Sequence, residues 1–184
     1  RAEQQKLGPL KAATDVRFLD ALQYPASMLL EIADALALGE IAMAEDDTAA
    51  AVRHFSHAVE VQDELPYTEP PFWYYPTRHS LGKALLAAGR PGDAEAVYRR
   101  NLENYPRNGW AMFGLIQALE AQGKDASDIQ AKFDTVWAQA DVTLTSEAEQ
   151  DDAEPPDIGA ELGGVGVLDG IGGVEGLRRL ARTD

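Results

Sequence analysis

The sequence contains no cysteine, which excludes disulfide frameworks, thiolate nucleophiles, zinc ribbons and cysteine-ligated iron–sulfur clusters and leaves the redox compartment unread. Histidine is scarce: His54, His57 and His79 are the three residues, too few for a histidine-rich metal cage. No stretch approaches the eighteen apolar residues of a membrane-spanning helix. Basic charge is also short. Sixteen Lys and Arg stand against thirty-one Asp and Glu, a formal charge of -15, whose field repels nucleic-acid phosphates and anionic lipid headgroups. Nucleic acid and membrane insertion are therefore not expected. The chain opens at Arg1 with no Met and no charged-then-apolar leader, and reads as a piece of something longer.

What is present is enough for one domain: 184 residues at 45% hydrophobic bury a real core. The apolar periodicity is helical nearly throughout. Between Ala26 and Asp46, the residues Leu29, Ile32, Ala33, Leu36, Ile41 and Ala44 recur at steps that put them on one helix side. Asp46 and Asp47 break the run. A second helix is predicted from Thr48 as N-cap through Val52, Phe55, Ala58 and Val61, ending before Leu65-Pro66. Thr68 to Pro71 is predicted to start another helical stretch, since proline is tolerated in a first turn, and Pro76 to restart it as a main helix reaching Ala88. After the turn at residues 89–93, Ala94 to Tyr105 returns. Trp110 to Gln122 and Ala126 to Ala140 repeat the plan around Gly123. Three hairpins are predicted, over 26–64, 70–106 and 107–141.

The hairpins are self-similar. Counted from Tyr75, residues Leu81, Gly82, Gly89, Ala94, Tyr98 and Pro106 hold positions 7, 8, 15, 20, 24 and 32 of a 34-residue unit. Counted from Ile32, Leu38, Gly39, Ala51, Phe55 and Ala58 hold positions 7, 8, 20, 24 and 27. The third unit, counted from Gly109, is degenerate: Leu115, Leu119 and Gly123 match, while Gly114 comes early and Phe133 one place late. Small residues at 8 and 20 let two helices approach and the aromatic at 24 fills the space behind them. This pattern resembles the tetratricopeptide repeat. About nine extra residues fall between the first two units, near Leu65 to Pro71, and the segment LPYTEPPFWYYPTRHSLG resembles a family of bacterial tetratricopeptide proteins with an EPP-x-WYYP-x-R-x-S-LG block. The resemblance covers roughly Tyr24 to Ala140 and brings no defined activity.

What the resemblance implies is an all-α fold, a right-handed solenoid of three hairpins whose first helices line a concave groove. Positions 2, 5, 9 and 12 of such helices usually face the groove. Carried over, these are Ala33, Leu36, Glu40 and Met43, then Pro76, His79, Lys83 and Leu86, then Trp110, Phe113, Gln117 and Glu120. The basic, Asn-rich carboxylate clamp of chaperone-tail binders is missing, because Leu36, His79, Phe113, Glu40, Lys83 and Gln117 occupy its positions. A partner segment is expected to bury Leu36, Met43, Trp110 and Phe113, with Glu40, His79, Lys83 and Glu120 setting polarity. The block Phe72, Trp73, Tyr74, Tyr75 with Arg78 has two readings: a plug for the gap opened by the insertion, or an aromatic shelf facing a ligand.

Catalytic signatures are weak. His54 and His57 share a helix face at metal-ligand spacing but lack an assured third ligand, and read as solvated surface. His79 with Glu40 is a candidate dyad in which the carboxylate would raise the imidazole pKa, but it has no nucleophile or oxyanion donor. No catalytic residue, resident metal or cofactor is expected.

The ends differ in character. Residues 1–24, with Leu7, Leu10, Val16, Phe18, Leu19 and Leu22, read as one helix left from a preceding repeat and presenting an open apolar face. Residues 142–184 read as an acidic linker and then a glycine-rich tail with Leu168, Ile171, Val174 and Leu177 at three-residue steps, for which the sequence offers two readings: a flexible tail, or a short segment docked on the last repeat or on a neighbouring molecule. The leading expectation is a scaffold that binds a protein or peptide. The alternatives are a small-molecule- or metal-binding accessory component of a bacterial enzyme system, and a subunit that self-associates through its ends or tail. The resemblance leans toward the bacterial cytoplasm, with the periplasm left open.

Overall fold

A computed structural model describes residues 1–2 and 4–144. The chain divides into two compact units, Arg1–Val142 and Thr143–Asp184. The predicted acidic linker and glycine-rich tail lie outside the described residues from 145 onward. The first unit is all-α among its described residues: a 3-10 turn at Gln4–Lys6, then α1 (Leu7–Lys11), α2 (Thr14–Ala21), α3 (Ala26–Ala44), α4 (Thr48–Glu64), α5 (Arg78–Ala87), α6 (Pro91–Asn104), α7 (Gly109–Glu120) and α8 (Ser127–Trp137). No described helix is long and apolar enough to cross a membrane.

The single N-terminal helix expected over the first 24 residues is instead a 3-10 turn and two short helices. A helix begun at Gln4 would carry Pro9 in its interior, where the ring removes a donor and clashes with the preceding turn. Starting at Leu7 leaves Pro9 in a first turn. Ala13 is then extended, with φ -64° and ψ 146°, and restarts the chain as α2.

Local chemistry sets the other boundaries. Asp46 adopts φ 59°, which ends α3, and Asp47 rather than Thr48 caps α4 by accepting the Ala50 N–H at 2.8 Å. Asp47→Ala is expected to cost about 1 kcal/mol of unfolding free energy, read as a lower urea midpoint with an unchanged slope. Asn108 caps α7 in the same way, accepting from Ala111 N–H at 3.0 Å. The helical stretch predicted from Thr68 is absent; after α4 no helix begins until Arg78. Pro70, Pro71 and Pro76 each remove a donor and push the preceding residue out of the helical region, and three of them within seven residues leave no turn to propagate. The Glu69–Pro70 bond is cis.

Three hairpins follow in series, α3 with α4, α5 with α6, and α7 with α8, and each second helix also packs on the next first helix. The first helices touch in turn, α3 with α5 and α5 with α7. Close approach depends on glycine against aromatic rings. A Cβ on Gly39 would stand 2.2 Å from Phe55, one on Gly82 2.4 Å from Tyr98, and one on Gly114 2.2 Å from the same Tyr98 ring. One ring thus serves two hairpins. The continuous core runs through Ala42, Ala51, Phe55, Leu81, Ala84, Leu85, Ala94, Tyr98, Leu115 and Leu119. The ends are thinner: α2 buries only Val16, and α8 buries nothing fully.

Candidate binding face

On α3, α5 and α7 the inward positions are closed to water, as Ile32, Ala35, Gly39 and Ala42, then Leu81, Gly82, Ala84 and Leu85, then Ala111, Gly114, Leu115 and Ala118. The nine groove residues behave differently. Glu40, Trp110 and Glu120 are exposed, and Leu36, Met43, His79, Lys83, Phe113 and Gln117 are half-buried.

The apolar members are largely engaged by the protein itself. Leu36 and Met43 pack against the core, as does Leu86. Trp110 meets Trp137 of α8 edge-on with ring centres 5.5 Å apart, Phe113 lies 5.9 Å from Phe133, and Phe133 stacks on Trp137 at 5.6 Å. These four rings form a cluster between α7 and α8. Trp137 also covers Gly109, whose Cβ would fall 2.3 Å from the indole. A ring packed on α8 contributes less new buried area to a partner than a free one. Beside the half-open Trp110 ring, what this face shows to solvent is polar: Glu40 and Glu120 are exposed, and Lys83 and Gln117 are half-buried.

The centre of this face gathers around Tyr75. Its hydroxyl sits 3.1 Å from Ser80 Oγ, and burial is the main reason its pKa is raised, while Ser80 and Lys83 pull it down and Glu40 pushes it up. Charges from α3 and α5 therefore reach one phenol. His79 stands edge-on to the same ring at 5.7 Å. Burial pushes its pKa down to about 4, and its Nε2 is enclosed without a hydrogen-bond partner. The dyad with Glu40 does not form, and the shift runs opposite to the one expected, because the imidazole loses water and gains no carboxylate.

The aromatic block divides by residue. Phe72 packs edge-on against Tyr24 at 5.2 Å, Trp73 is half-buried with its indole N–H unpartnered, Tyr74 points to solvent, and Tyr75 joins the site just described. Arg78 closes a two-pronged pair with Asp63 at 2.7 and 2.5 Å, tying the start of α5 to α4. Gln62, which the sequence reading passed over, does the same: its Nε2 donates to Tyr75 O at 2.9 Å while its Oε1 accepts from Thr77 N–H at 2.9 Å and Thr77 Oγ1 at 2.7 Å. Together they hold the insertion so that Tyr75 and His79 are presented on the face.

Elsewhere, His57 bonds Glu31 at 2.7 Å and lies 3.8 Å from Glu60. No group of three His, Cys, Asp or Glu is arranged for a metal among the described residues. Glu95 is a second unforeseen anchor. It accepts from Lys124 at 2.7 Å, Arg99 at 2.8 Å and Gln122 at 3.0 Å, and these donors, Lys124 first, lower its pKa to about 2. Two surface hollows lie away from the groove residues, one of about 590 Å³ along Asn104–Asn108 and one of about 520 Å³ between Pro106, Met112 and α8 residues including Asp128 and Lys132. Compared with family models, with curated proteins and with solved structures, the chain matches none.

Proposed function

We propose that this chain is a tetratricopeptide-type α-solenoid scaffold that docks a peptide or helix of a partner protein along the first helices of its three hairpins. The repeat assignment is supported by two glycine–aromatic contacts at matched spacing, Gly39 with Phe55 and Gly82 with Tyr98, and by first helices that touch in series. The observation that carries the binding role is a polar row at matched positions of successive first helices, Glu40 and Glu120 exposed and His79, Lys83 and Gln117 half-buried, beside the fully buried positions that face the core. A row of side chains at one register on successive repeats offers an extended surface, and such surfaces recognise segments rather than compact ligands. Its polarity supports recognition through Glu40, Lys83 and Glu120, with Leu36 and Met43 as the apolar floor and a smaller share for Trp110 and Phe113, whose rings pack on α8. The role is one of binding, not catalysis, and a net charge of -15 suits a protein segment better than a nucleic acid.

The test is selection of peptides from a display library on the immobilised protein, followed by affinities for variants. Glu40→Lys and Lys83→Glu are each expected to weaken selected peptides by about tenfold, a loss of about 1.4 kcal/mol. Glu60→Lys on the exposed side of α4 is expected to leave affinity unchanged. Selected peptides that bind all three variants like the parent would remove this face as the docking surface.

A further inference from the structure

Helix α2 gives only Val16 to the core, yet its opposite side is apolar too. Phe18 and Leu22 lie one turn apart, the Leu22 N–H donating to Phe18 O at 3.2 Å, and they are 63% and 61% exposed. The helix ends in a left-handed residue, Gln23 with φ 67°. Its N–H donates to Asp20 O and the Tyr24 N–H to Leu19 O, both at 3.0 Å, the pairing that folds the residue after the turn back over the last helical turn. Leu19 and Tyr24 thereby border the same patch, at 39% and 45% exposed. These four side chains present roughly 400 Å² of apolar surface, within the range of the largest patch on a single chain, which is often functional.

We propose that this patch is a self-association surface, with α2 of one copy seated against α2 of a second. The area argues for it: two such patches supply roughly 800 Å² of apolar contact, and because interfaces are only about 60% apolar this corresponds to about 1,300 Å² in total, within the range of specific dimers. Charge points to the same place. Residues 1–24 hold four basic and three acidic side chains, whereas the rest of the chain holds twelve basic and twenty-eight acidic. The N-terminal stretch thus carries less net charge than the rest of the chain, though Arg1 and Lys11 are paired with Glu45 and Asp34, and a patch that faces itself across a two-fold axis needs no other partner.

The experiment uses light scattering on the full chain from roughly 5 to 200 µM, a span that covers micromolar dissociation constants. The expected mass rises from 19.9 kDa toward twice that value, more readily at higher salt as like charge is screened. Phe18→Asp combined with Leu22→Asp is expected to hold the chain at monomer mass while leaving its melting temperature at low concentration unchanged, since both side chains are exposed. The absence of native cysteine allows a second arm. A single Leu22→Cys is expected to cross-link copies through a short bis-maleimide, and Ala96→Cys on the exposed side of α6 is not. A parent chain that stays monomeric throughout, a dimer that survives the double substitution, or a dimer that Leu22→Cys fails to cross-link would each overturn the proposal.

Discussion

Gly114→Ala is expected to destabilise the fold by about 3 kcal/mol or more, the upper end for overpacking a core, although an alanine in a helix interior ordinarily gains about 1 kcal/mol over glycine. The reversal of sign follows from the ring of Tyr98. A Cβ at Gly114 would lie 2.2 Å from that ring, and a retreating ring meets α5, where the corresponding distance from Gly82 is 2.4 Å. The hydroxyl end of the ring is crowded by glycines of two helices at once, so little room is left for a side-chain rotation to absorb the overlap. Tyr98→Leu should relieve part of the overlap, making the two substitutions strongly non-additive, with a coupling of about 2 kcal/mol in a double-mutant cycle. Urea unfolding of the parent, both single variants and the pair checks this. A Gly114→Ala protein as stable as the parent would mean that Tyr98 is not a wedge shared by two hairpins, and the serial packing of α5, α6 and α7 would need another explanation.

The same ring marks how far the fold was legible. Gly39 and Phe55 stand in the same relation as Gly82 and Tyr98, so the pattern within a hairpin is readable from one chain. Gly114 is different, because its aromatic partner belongs to the preceding hairpin, and spacing inside its own repeat points to Phe133, which packs on Phe113 instead. Helix starts misread by a residue or a turn have local causes. Asp47 and Thr48 are both capping types, and the left-handed Asp46 decides between them. Each proline between residues 70 and 76 is compatible with a helix start on its own; together they exclude one.

On the candidate face, the solvent access of the polar side chains is legible in the sequence, whereas the ring contacts of the aromatic ones are not. Glu40, Lys83, Gln117 and Glu120 keep solvent access because charged and amide groups stay hydrated unless paired. Trp110 and Phe113 were placed at a groove by register, but the last hairpin has no further helix among the described residues to pack on, and its own α8 supplies Phe133 and Trp137 to cover them. Gln62 and Glu95 were missed because their value comes from distant donors and acceptors: Tyr75 and Thr77 for one, Gln122 and Lys124 for the other. No local pattern in the sequence encodes those pairings.

His79 supplies the second large effect, a loss of stability of about 2 kcal/mol between pH 7.5 and pH 5, from linkage between protonation and folding. In the folded chain its pKa is pushed down from 6.5 to about 4 by burial, so the unfolded chain takes up the proton first. Stability from this group is complete above pH 6.5, falls as pH drops toward 4, and changes no further below. The lowered carboxylates, Glu95 most of all, act in a separate window, since their contribution is retained until pH falls below the ordinary carboxylate value of 4.5. The groups near the imidazole are the Tyr75 phenol and, through it, Glu40 and Lys83, and none supplies a hydrogen bond to Nε2. His79→Gln, which carries no titratable group, is expected to flatten the dependence between pH 5 and 7.5 while keeping the steeper fall below pH 4.5. Urea midpoints for parent and variant at matched pH values decide the matter. Parallel curves would mean that water reaches the imidazole freely, and the enclosed centre around Tyr75 would have to be redrawn without it.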